Sequence, residues 1–311
     1  MGFFTGKQGR ILLLVGIILF LTFPLFVSRF YVYLTTVILI YGLFATSLNL
    51  VLGYGGIFQF NHAVFFGMGA YGAALVITRS DLSPWIGFLV GPLVSALMSL
   101  IIGLICIRLS KLYFGMLQIS LGSLIWAVVY RWYGFTGGDD GIHGIPMPDI
   151  ISSSTNTYYF TLFIVSLAFF TIYKIIKSPF GSVIQGIRDN PIRSKMIGVD
   201  VPRHQLVAIV FSGFFAGIAG VLFVIVENAV FPDMLFWTLS LEAMIMCLLG
   251  GMYTFMGPIF GAMVIVLLRT SISTFTVYWG LFLGIILMFI IFFLPDGVLG
   301  HFQKVMDRKQ S

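Results

Sequence analysis

Glu242 stands at the edge of a long apolar run, residues 243–268, and is the first candidate for chemistry. A carboxylate buried in a membrane costs free energy, so such a residue is by default predicted to have a function. It could bind the ammonium group of a solute, pair with a partner subunit, or cap the start of its helix, because acidic side chains are favoured near helix amino termini. The sequence leaves all three roles open.

A second polar group surrounds the stretch "GYGGIFQFNH" (53–62), where glycines and polar side chains interrupt an apolar run. Irregular backbone at membrane depth is tolerated only against protein or a water-filled cavity. The polar side chains here are therefore predicted to line a translocation pathway or a subunit interface. They are Asn49, Gln59, Asn61 and His62.

Metal and disulfide chemistry find no support in the pattern. His62 has no second histidine, cysteine or acid at ligand spacing, so no metal site is predicted. A hydrogen bond at a helix end is the favoured role for its ring, and a proton carrier is the alternative. Cys106 and Cys247 lie in separate apolar runs without a pairing pattern, so we expect both to be packing residues.

The stretch "GSVIQGIRDNPIRSKMIGVDVPRHQ" (181–205) concentrates charge in a chain that otherwise avoids it. Two interpretations stay open: a segment that docks into a partner, or a solvated loop that holds positive charge on one side of a membrane. The charged residues of the stretch are Arg188, Asp189, Arg193, Lys195, Asp200 and Arg203.

A short helix is predicted inside this stretch. Asn190 and Pro191 indicate its start, because asparagine is a preferred N-cap and proline is favoured at the first helical position. Gly198 indicates its end. Between them, "PIRSKMI" (191–197) is predicted to form a helix of about two turns, with Ile192 and Met196 on one face. Such a capped amphipathic helix has the shape of an element that docks into a partner's groove.

The composition places these residues in a membrane. Of the 311 residues, 59% are hydrophobic and 9% are charged, against about a quarter charged in average soluble domains. The apolar runs do not alternate with polar residues as barrel strands do, so we predict an all-α polytopic membrane protein. The net charge of +6 reports membrane orientation and is no sign of nucleic-acid binding.

The apolar runs divide into about ten membrane segments of about 20 residues or fewer. Two long runs must be split at glycine-rich breaks, at 53–62 and at "GGMYTFMGP" (250–258). The pieces near 239–250 and 257–269 are either full spans or half-helices that enter and return. The other predicted segments are 11–28, 31–52, 63–78, 85–107, 112–131, 157–177, 204–226 and 277–295.

Basic residues orient the predicted segments. With both termini on the cytoplasmic side, only Arg29, Arg79, Arg131 and Arg269 of the 17 lysines and arginines lie outside. Cytoplasmic loops carry the excess of such residues, so the rule supports this arrangement. It places the loop at 178–203 in the cytoplasm.

The two breaks resemble each other in sequence. "GGIFQFNHAVFFGM" (55–68) aligns without gaps on "GGMYTFMGPIFGAM" (250–263), matching two glycines, two phenylalanines and a methionine. Repeats with interrupted helices in corresponding positions are typical of transporters. Chance similarity between two segments rich in glycine and phenylalanine is the alternative.

Four stretches, in this order, carry a resemblance to a known family: "SLNLVLGYGGIFQFNHAVFFGMGAY" (47–71), "TGGDDGIHGIP" (136–146), "GIRDNPIRSKMIGVDVPRHQLVAIVFSGFFAGIAGVLF" (186–223) and "LEAMIMCLLGGMYTFMGPIFGA" (241–262). Together they cover most of residues 40–300. They resemble the branched-chain amino-acid permeases of ABC transporters, and 186–223 resembles the family's cytoplasmic coupling loop.

The resemblance implies that Ile187 to Asp200 contact an ATPase subunit. No G-x-x-x-x-G-K-[ST] sequence occurs in the chain, so any nucleotide site, with its ATP and Mg²⁺, is expected on a partner. Arg193 and Ser194 stand where family members often carry two small residues. The implied coupling residues are Ile187, Arg188, Asp189, Asn190, Pro191, Ile192, Arg193, Met196 and Gly198.

The resulting expectation is a single transmembrane permease domain, 1–311, with no enzymatic activity and no cofactor of its own. By resemblance it would import branched-chain amino acids across a bacterial inner membrane, with a second related permease, ATPase subunits and an extracytoplasmic binding protein. The same architecture could carry urea, short amides or other amino acids. An ion-coupled carrier or channel ranks lower, because such carriers usually place acids or histidines deep in several helices. A membrane enzyme ranks lowest.

Overall fold

The computed structural model of the chain describes residues 22–80, 82–109, 111–151 and 153–274, with Phe20 and scattered positions between 280 and 288. More than half of each of the predicted first and last membrane segments, 11–28 and 277–295, lies outside the described residues.

Helices make up most of the described chain, in agreement with the predicted all-α class. Both predicted breaks are present, at 53–61 and 251–256, and the helices flanking them end and begin within about two residues of the predicted positions. In chain order the helices are α1 (Arg29–Leu52), α2 (His62–Arg79), α3 (Pro84–Cys106), α4 (Lys111–Arg131), α5 (Tyr133–Thr136), α6 (Ser154–Lys177), α7 (Pro179–Asp189), α8 (Pro191–Met196), α9 (Val201–Glu227), α10 (Trp237–Gly250) and α11 (Gly257–Ser273).

Five of the described helices are long and apolar enough to cross a membrane: α1, α3, α4, α6 and α9. This agrees with a polytopic membrane protein. The helices α10 and α11 are shorter, with 14 and 17 residues. At 1.5 Å per residue α10 is about 21 Å long, against a hydrocarbon core of about 30 Å. Its length favours the interpretation in which 239–269 enters the membrane and returns.

Close packing of α2, α3 and α9 forms the centre of the molecule, with α1 lying along them. The approach is tightest at glycine, because a side chain on Gly69 would come within 2.5 Å of the Gly217 backbone. The Ser95 hydroxyl of α3 is within hydrogen-bond distance of the carbonyl oxygens of Phe65 (2.7 Å) and Gly213 (2.6 Å), and its one hydrogen is shared between them. Small residues and interhelical hydrogen bonds are the usual means of helix association in lipid.

A short antiparallel bridge ties the α5–α6 loop to the end of α9. Its strands are β1 (Ile142–His143) and β2 (Ala229–Val230), with Ile142 opposite Val230. The sequence contains no strand pattern here, so this bridge was not predicted. It lies at the end of the molecule opposite the two helix breaks, because α9 runs away from the α7–α8 loop.

Candidate functional site

The helix α8 forms where the sequence predicts it. Asn190 accepts a hydrogen bond from the Arg193 amide at 2.9 Å through its side-chain oxygen, and Pro191 is the first helical residue. The helix ends at Met196, one residue earlier than predicted, and Gly198 follows with φ of +90°. The caps act locally, which is why the sequence alone locates both ends.

The outer face of α8 is apolar and exposed. Ile192 is 67% exposed, Met196 82% and Ile197 77%. Arg193 and Lys195 are exposed beside them. Three large apolar side chains held out from one short, capped helix are typical of a surface that another protein covers.

The opposite side of the loop packs inward. It includes α7, which the sequence did not predict as a separate helix and whose cap is Ser178. Ile184 and Ile187 of α7 are each only 2% exposed. Ile187, one of the expected coupling residues, therefore offers no surface to a partner in this structure. Ser194 is also buried, and its hydroxyl donates to the Asn190 carbonyl oxygen at 3.1 Å.

Arg188 turns away from the exposed face and towards the helix breaks. Its Nη1 donates to the Gly53 carbonyl oxygen at 2.9 Å, and its Nη2 pairs with Asp189 at 2.9 Å. The guanidinium carbon lies 5.3 Å from the centre of the Tyr253 ring. One side chain of the loop thus reaches both breaks, a contact that local sequence pattern cannot reveal.

The two breaks also contact each other directly. The Asn49 side chain, from the last turn of α1, donates to the Thr254 carbonyl oxygen at 3.4 Å. A side chain on Gly53 would collide with the Met252 carbonyl oxygen, so the backbones meet there. The two similar segments are neighbours at one end of the molecule, the same end as α7 and α8.

The polar side chains predicted at the first break are all buried within the chain: Asn49, Gln59, Asn61 and His62 are at most 1% exposed. His62 is the first residue of α2, and its Nε2 lies 2.9 Å from the Ser47 hydroxyl, which fits the helix-end role. Both polar atoms of the Gln59 and Asn61 amides lack a hydrogen-bond partner among the described residues. Amides buried in this way are costly, so hydrogen-bonding groups from outside the chain would be favoured here.

Two further polar residues hold the first break and were missed at the sequence level. Gln118 of α4 accepts from the Phe60 amide at 3.0 Å, and Ser240 of α10 accepts from the Ala63 amide at 2.8 Å. Gln118 carried a signal, because it is the one amide side chain in the apolar run 112–130. Ser240 lies at a helix start, where serine is common, and carried none.

Glu242 is the sixth residue of α10, beyond the first helical turn. The capping interpretation does not fit this position, because the helix-terminal effect falls off within one turn. Its Oε1 lies 3.7 Å from Nη1 of Arg269 on α11, and the carboxylate side chain is only 13% exposed. The pair joins the two helices on either side of the second break.

At the other end of the molecule the α5–α6 loop is held by polar contacts. Tyr133 donates to Asp139 at 2.6 Å, and this hydrogen bond raises the pKa of Tyr133 above its ordinary value. Tyr33 of α1 donates to Glu227 at 2.5 Å beside a pocket of about 110 Å³. Within the described residues, no three His, Cys, Asp or Glu side chains lie close enough together to hold a metal ion.

Comparison with known proteins supplies what the geometry leaves undecided. A family model described as the branched-chain amino acid transport system permease component matches residues 30–291. The chain belongs to this family. Members of this permease family are transport subunits, and the five apolar helices agree with a multi-pass membrane protein. The match includes α7, α8 and both helix breaks.

Individual relatives of this permease have low sequence identity to it, but two of them align with nearly all of the chain. The high-affinity branched-chain amino acid transport system permease protein LivM of Salmonella typhimurium is 27% identical, covering 95% of this chain and 76% of its own. LivM of Escherichia coli is 26% identical with the same coverage. The guanosine ABC transporter permease protein NupQ of Bacillus subtilis is 26% identical over 44% of this chain and 47% of its own. No solved structure matches the permease.

Proposed function

We propose that this chain is one membrane subunit of an ATP-driven importer of branched-chain amino acids in a bacterial inner membrane. The family match supports the class of transporter, and the LivM relatives support the substrate. The single observation that carries the mechanism is the exposed apolar face of α8, with Ile192, Met196 and Ile197 facing away from the chain.

In this proposal α8 is the coupling helix and sits in a groove of a cytoplasmic ATPase subunit. Burial of the three apolar side chains would supply the hydrophobic part of the contact. Arg193 and Lys195, exposed beside them, would meet acidic groups at its rim. ATP and Mg²⁺ bind the partner, and the permease binds neither. Both termini and the loop at 178–203 then face the cytoplasm.

Transport requires a path for a zwitterionic solute, and the buried amides at the first break are the proposed polar surface. Asn49, Gln59 and Asn61 offer donors and acceptors that do not all find partners among the residues the structure describes. A second, related permease completes the path, and an extracytoplasmic binding protein delivers the solute at the end where the α5–α6 loop lies. Glu242 belongs to a helix–helix ion pair in this proposal.

The deciding experiment is a pull-down of the intact protein from native membranes, with residues 188–198 either unaltered or replaced by a Gly/Ser linker. We expect an ATPase subunit to co-purify with the unaltered chain and to be lost from the replacement. A matched control replaces residues 144–150, at the opposite end of the molecule, by the same kind of linker. An ATPase that binds the 188–198 replacement normally contradicts the proposal.

A nucleoside is the second candidate solute. The reason is that NupQ, a permease named for guanosine, aligns with 44% of this chain. Uptake of radiolabelled leucine, guanosine and urea by the reconstituted complex separates the candidates. Leucine uptake that unlabelled isoleucine and valine inhibit, and guanosine does not, supports the amino-acid proposal. Saturable guanosine uptake without leucine uptake would replace it.

A further inference from the structure

Arg188 joins the loop that carries α8 to both helix breaks. The chain passes from Arg188 through Asp189 and the Asn190 cap to Pro191, the first residue of α8. Only two residues, Asp189 and Asn190, therefore separate Arg188, which makes the inward contact, from α8, which carries the exposed docking face. Because this connection is short, few backbone torsions lie between α8 and Arg188 that could absorb a movement of α8.

The contact with the first break is specific. The Arg188 guanidinium donates to the Gly53 carbonyl oxygen at 2.9 Å, a charge-assisted bond to a carbonyl just past the end of α1. A side chain on Gly56 would lie 2.7 Å from the Arg188 Cγ. Gly56 has φ of +67°, so both its backbone conformation and the arginine stem require glycine there.

The contact with the second break uses a different part of the same group. The guanidinium lies over the Tyr253 ring, 5.3 Å from its centre, in the arrangement that favours cation–π attraction. The carbonyl oxygen of Thr254, the next residue, accepts from the Asn49 side chain, in the last turn of α1 before the first break. The two breaks, the end of α1 and Arg188 therefore form a closed set of contacts.

The Arg188 side chain is 27% exposed, while that of Asp189, its ion-pair partner, is 67% exposed. The arginine is thus largely covered by its own chain, unlike Arg193 on α8, which is exposed. An arginine placed to bind a partner would present its guanidinium outward. The Arg188 guanidinium instead donates to the Gly53 carbonyl oxygen of its own chain and pairs with Asp189.

We propose that Arg188 is the positioning residue that transmits movement of α8 to the two helix breaks, so that both breaks rearrange together when the partner ATPase changes state. This inference rests on the proposed function and adds to it the route between the docking face and the membrane. Arg188 acts through Gly53 and Tyr253, and it touches neither the solute nor the nucleotide.

The test uses a reporter thiol in the first break. Phe58 is 55% exposed, and the native Cys106 and Cys247 are both buried, so Phe58→Cys supplies one accessible thiol among the described residues. Its labelling rate by a maleimide is measured in the complete permease–ATPase complex, nucleotide-free and trapped with ATP and vanadate. With Arg188 present, we expect the two rates to differ, because nucleotide that binds one state of the complex more tightly shifts the population towards that state.

In the Arg188→Gln variant the nucleotide dependence of labelling is expected to disappear, while the ATPase still co-purifies. Arg203→Gln is the matched control. It removes the same charge near the same end of the molecule from an exposed side chain, and only the Arg203 backbone amide bonds to Asp200. Labelling in this control is expected to keep its dependence on nucleotide. A merely structural arginine would change stability without abolishing the response to nucleotide.

Three results would overturn the inference. The first is an Arg188→Gln variant whose labelling at position 58 depends on nucleotide as in the unaltered chain, and the second is an Arg188→Gln variant that no longer co-purifies with the ATPase. The third is an unaltered chain whose labelling at position 58 does not depend on nucleotide. If Arg188→Gln fails to insert, Tyr253→Leu replaces it, since the Tyr253 ring is exposed and its loss removes one contact of the link. A full response in Tyr253→Leu then overturns the link to the second break.

Failure of this inference differs from failure of the proposed function. If no ATPase co-purifies with the unaltered chain, the proposed function fails and the role of Arg188 falls with it. If the ATPase co-purifies and is lost from the 188–198 replacement, but position 58 never senses nucleotide, only the role of Arg188 fails.

Discussion

At the scale of single residues, Asn190 shows how one side chain can set the geometry of a docking element. Its oxygen satisfies the Arg193 amide, and its carbonyl receives the Ser194 hydroxyl. A helix of six residues has too few hydrogen bonds to persist alone. The cap and the packing of α7 beneath it are therefore what hold the apolar face of α8 in position.

Asn190→Ala is expected to weaken binding of the ATPase about fivefold, because loss of an N-cap costs about 1 kcal/mol. Asn190→Ser keeps a capping oxygen and should bind nearly as the unaltered chain does. The measurement is the affinity of the purified permease for its ATPase subunit. Equal weakening by alanine and serine would show that the amide touches the partner instead of capping α8.

Glu242 is argued at the same scale, as one half of the pair with Arg269. Each single change, Glu242→Gln or Arg269→Gln, leaves the other charge without this partner, so the double variant should be destabilised by less than the sum of the two. Coupling of roughly 0.5–3 kcal/mol is usual for residues in contact. Thermal unfolding in detergent measures it. A changed KM for the solute in Glu242→Gln, with unchanged stability, would place the carboxylate on the transport path.

At the scale of elements, α7 and α8 divide one loop into two surfaces. The buried side of α7 packs against α6 and α9, and the apolar side of α8 faces outward. Both surfaces come from fewer than twenty residues, because two short helices meeting at Asn190 can point their apolar faces in different directions. The loop therefore has one surface that packs on its own chain and a second surface that is exposed to a partner.

Ile192→Asp is expected to abolish association with the ATPase while leaving membrane insertion intact, because a carboxylate would be buried in an apolar contact. Ile150→Asp is the matched control: Ile150 is 70% exposed, against 67% for Ile192, and it lies at the opposite end of the molecule. Co-purification from membranes measures the association. If both variants keep the ATPase, α8 is a solvated loop and the docking hypothesis is rejected.

At the scale of the whole molecule, the charges and the helices together support the proposed arrangement in the membrane. The ends of α1, α6 and α10 that lie beside α8 share one side, and the β1–β2 bridge lies on the other. The positive-inside rule assigns the α8 side to the cytoplasm. This assignment decides which partner each surface can meet.

A cysteine at position 196 should react with a membrane-impermeant thiol reagent only from the cytoplasmic side, and one at position 150 only from the outside. Met196 and Ile150 are both well exposed, so a cysteine at either position can react. Ser194 of α8 is buried and is unsuitable for this labelling. Labelling of right-side-out and inverted membrane vesicles measures the two rates. Outside labelling at position 196 would reverse the proposed orientation.

The sequence by itself determined the features that depend on neighbouring residues. Apolar runs fixed the membrane class, and the glycine-rich breaks fixed where α1 and α10 end. Asn190, Pro191 and Gly198 fixed α8, because capping is a contact within one helical turn. The breaks could be recognised as similar from their aligned glycines and phenylalanines, before their proximity was known.

Only the tertiary structure decided which residues meet across long separations in the chain. The contacts of Arg188 with Gly53, of Asn49 with Thr254 and of Glu242 with Arg269 depend on how helices pack. In a soluble protein an apolar stripe would predict the packed face of a helix. Here lipid and protein interior are equally apolar, so a membrane helix carries little such stripe, and its inner face emerges only when its neighbours are in place.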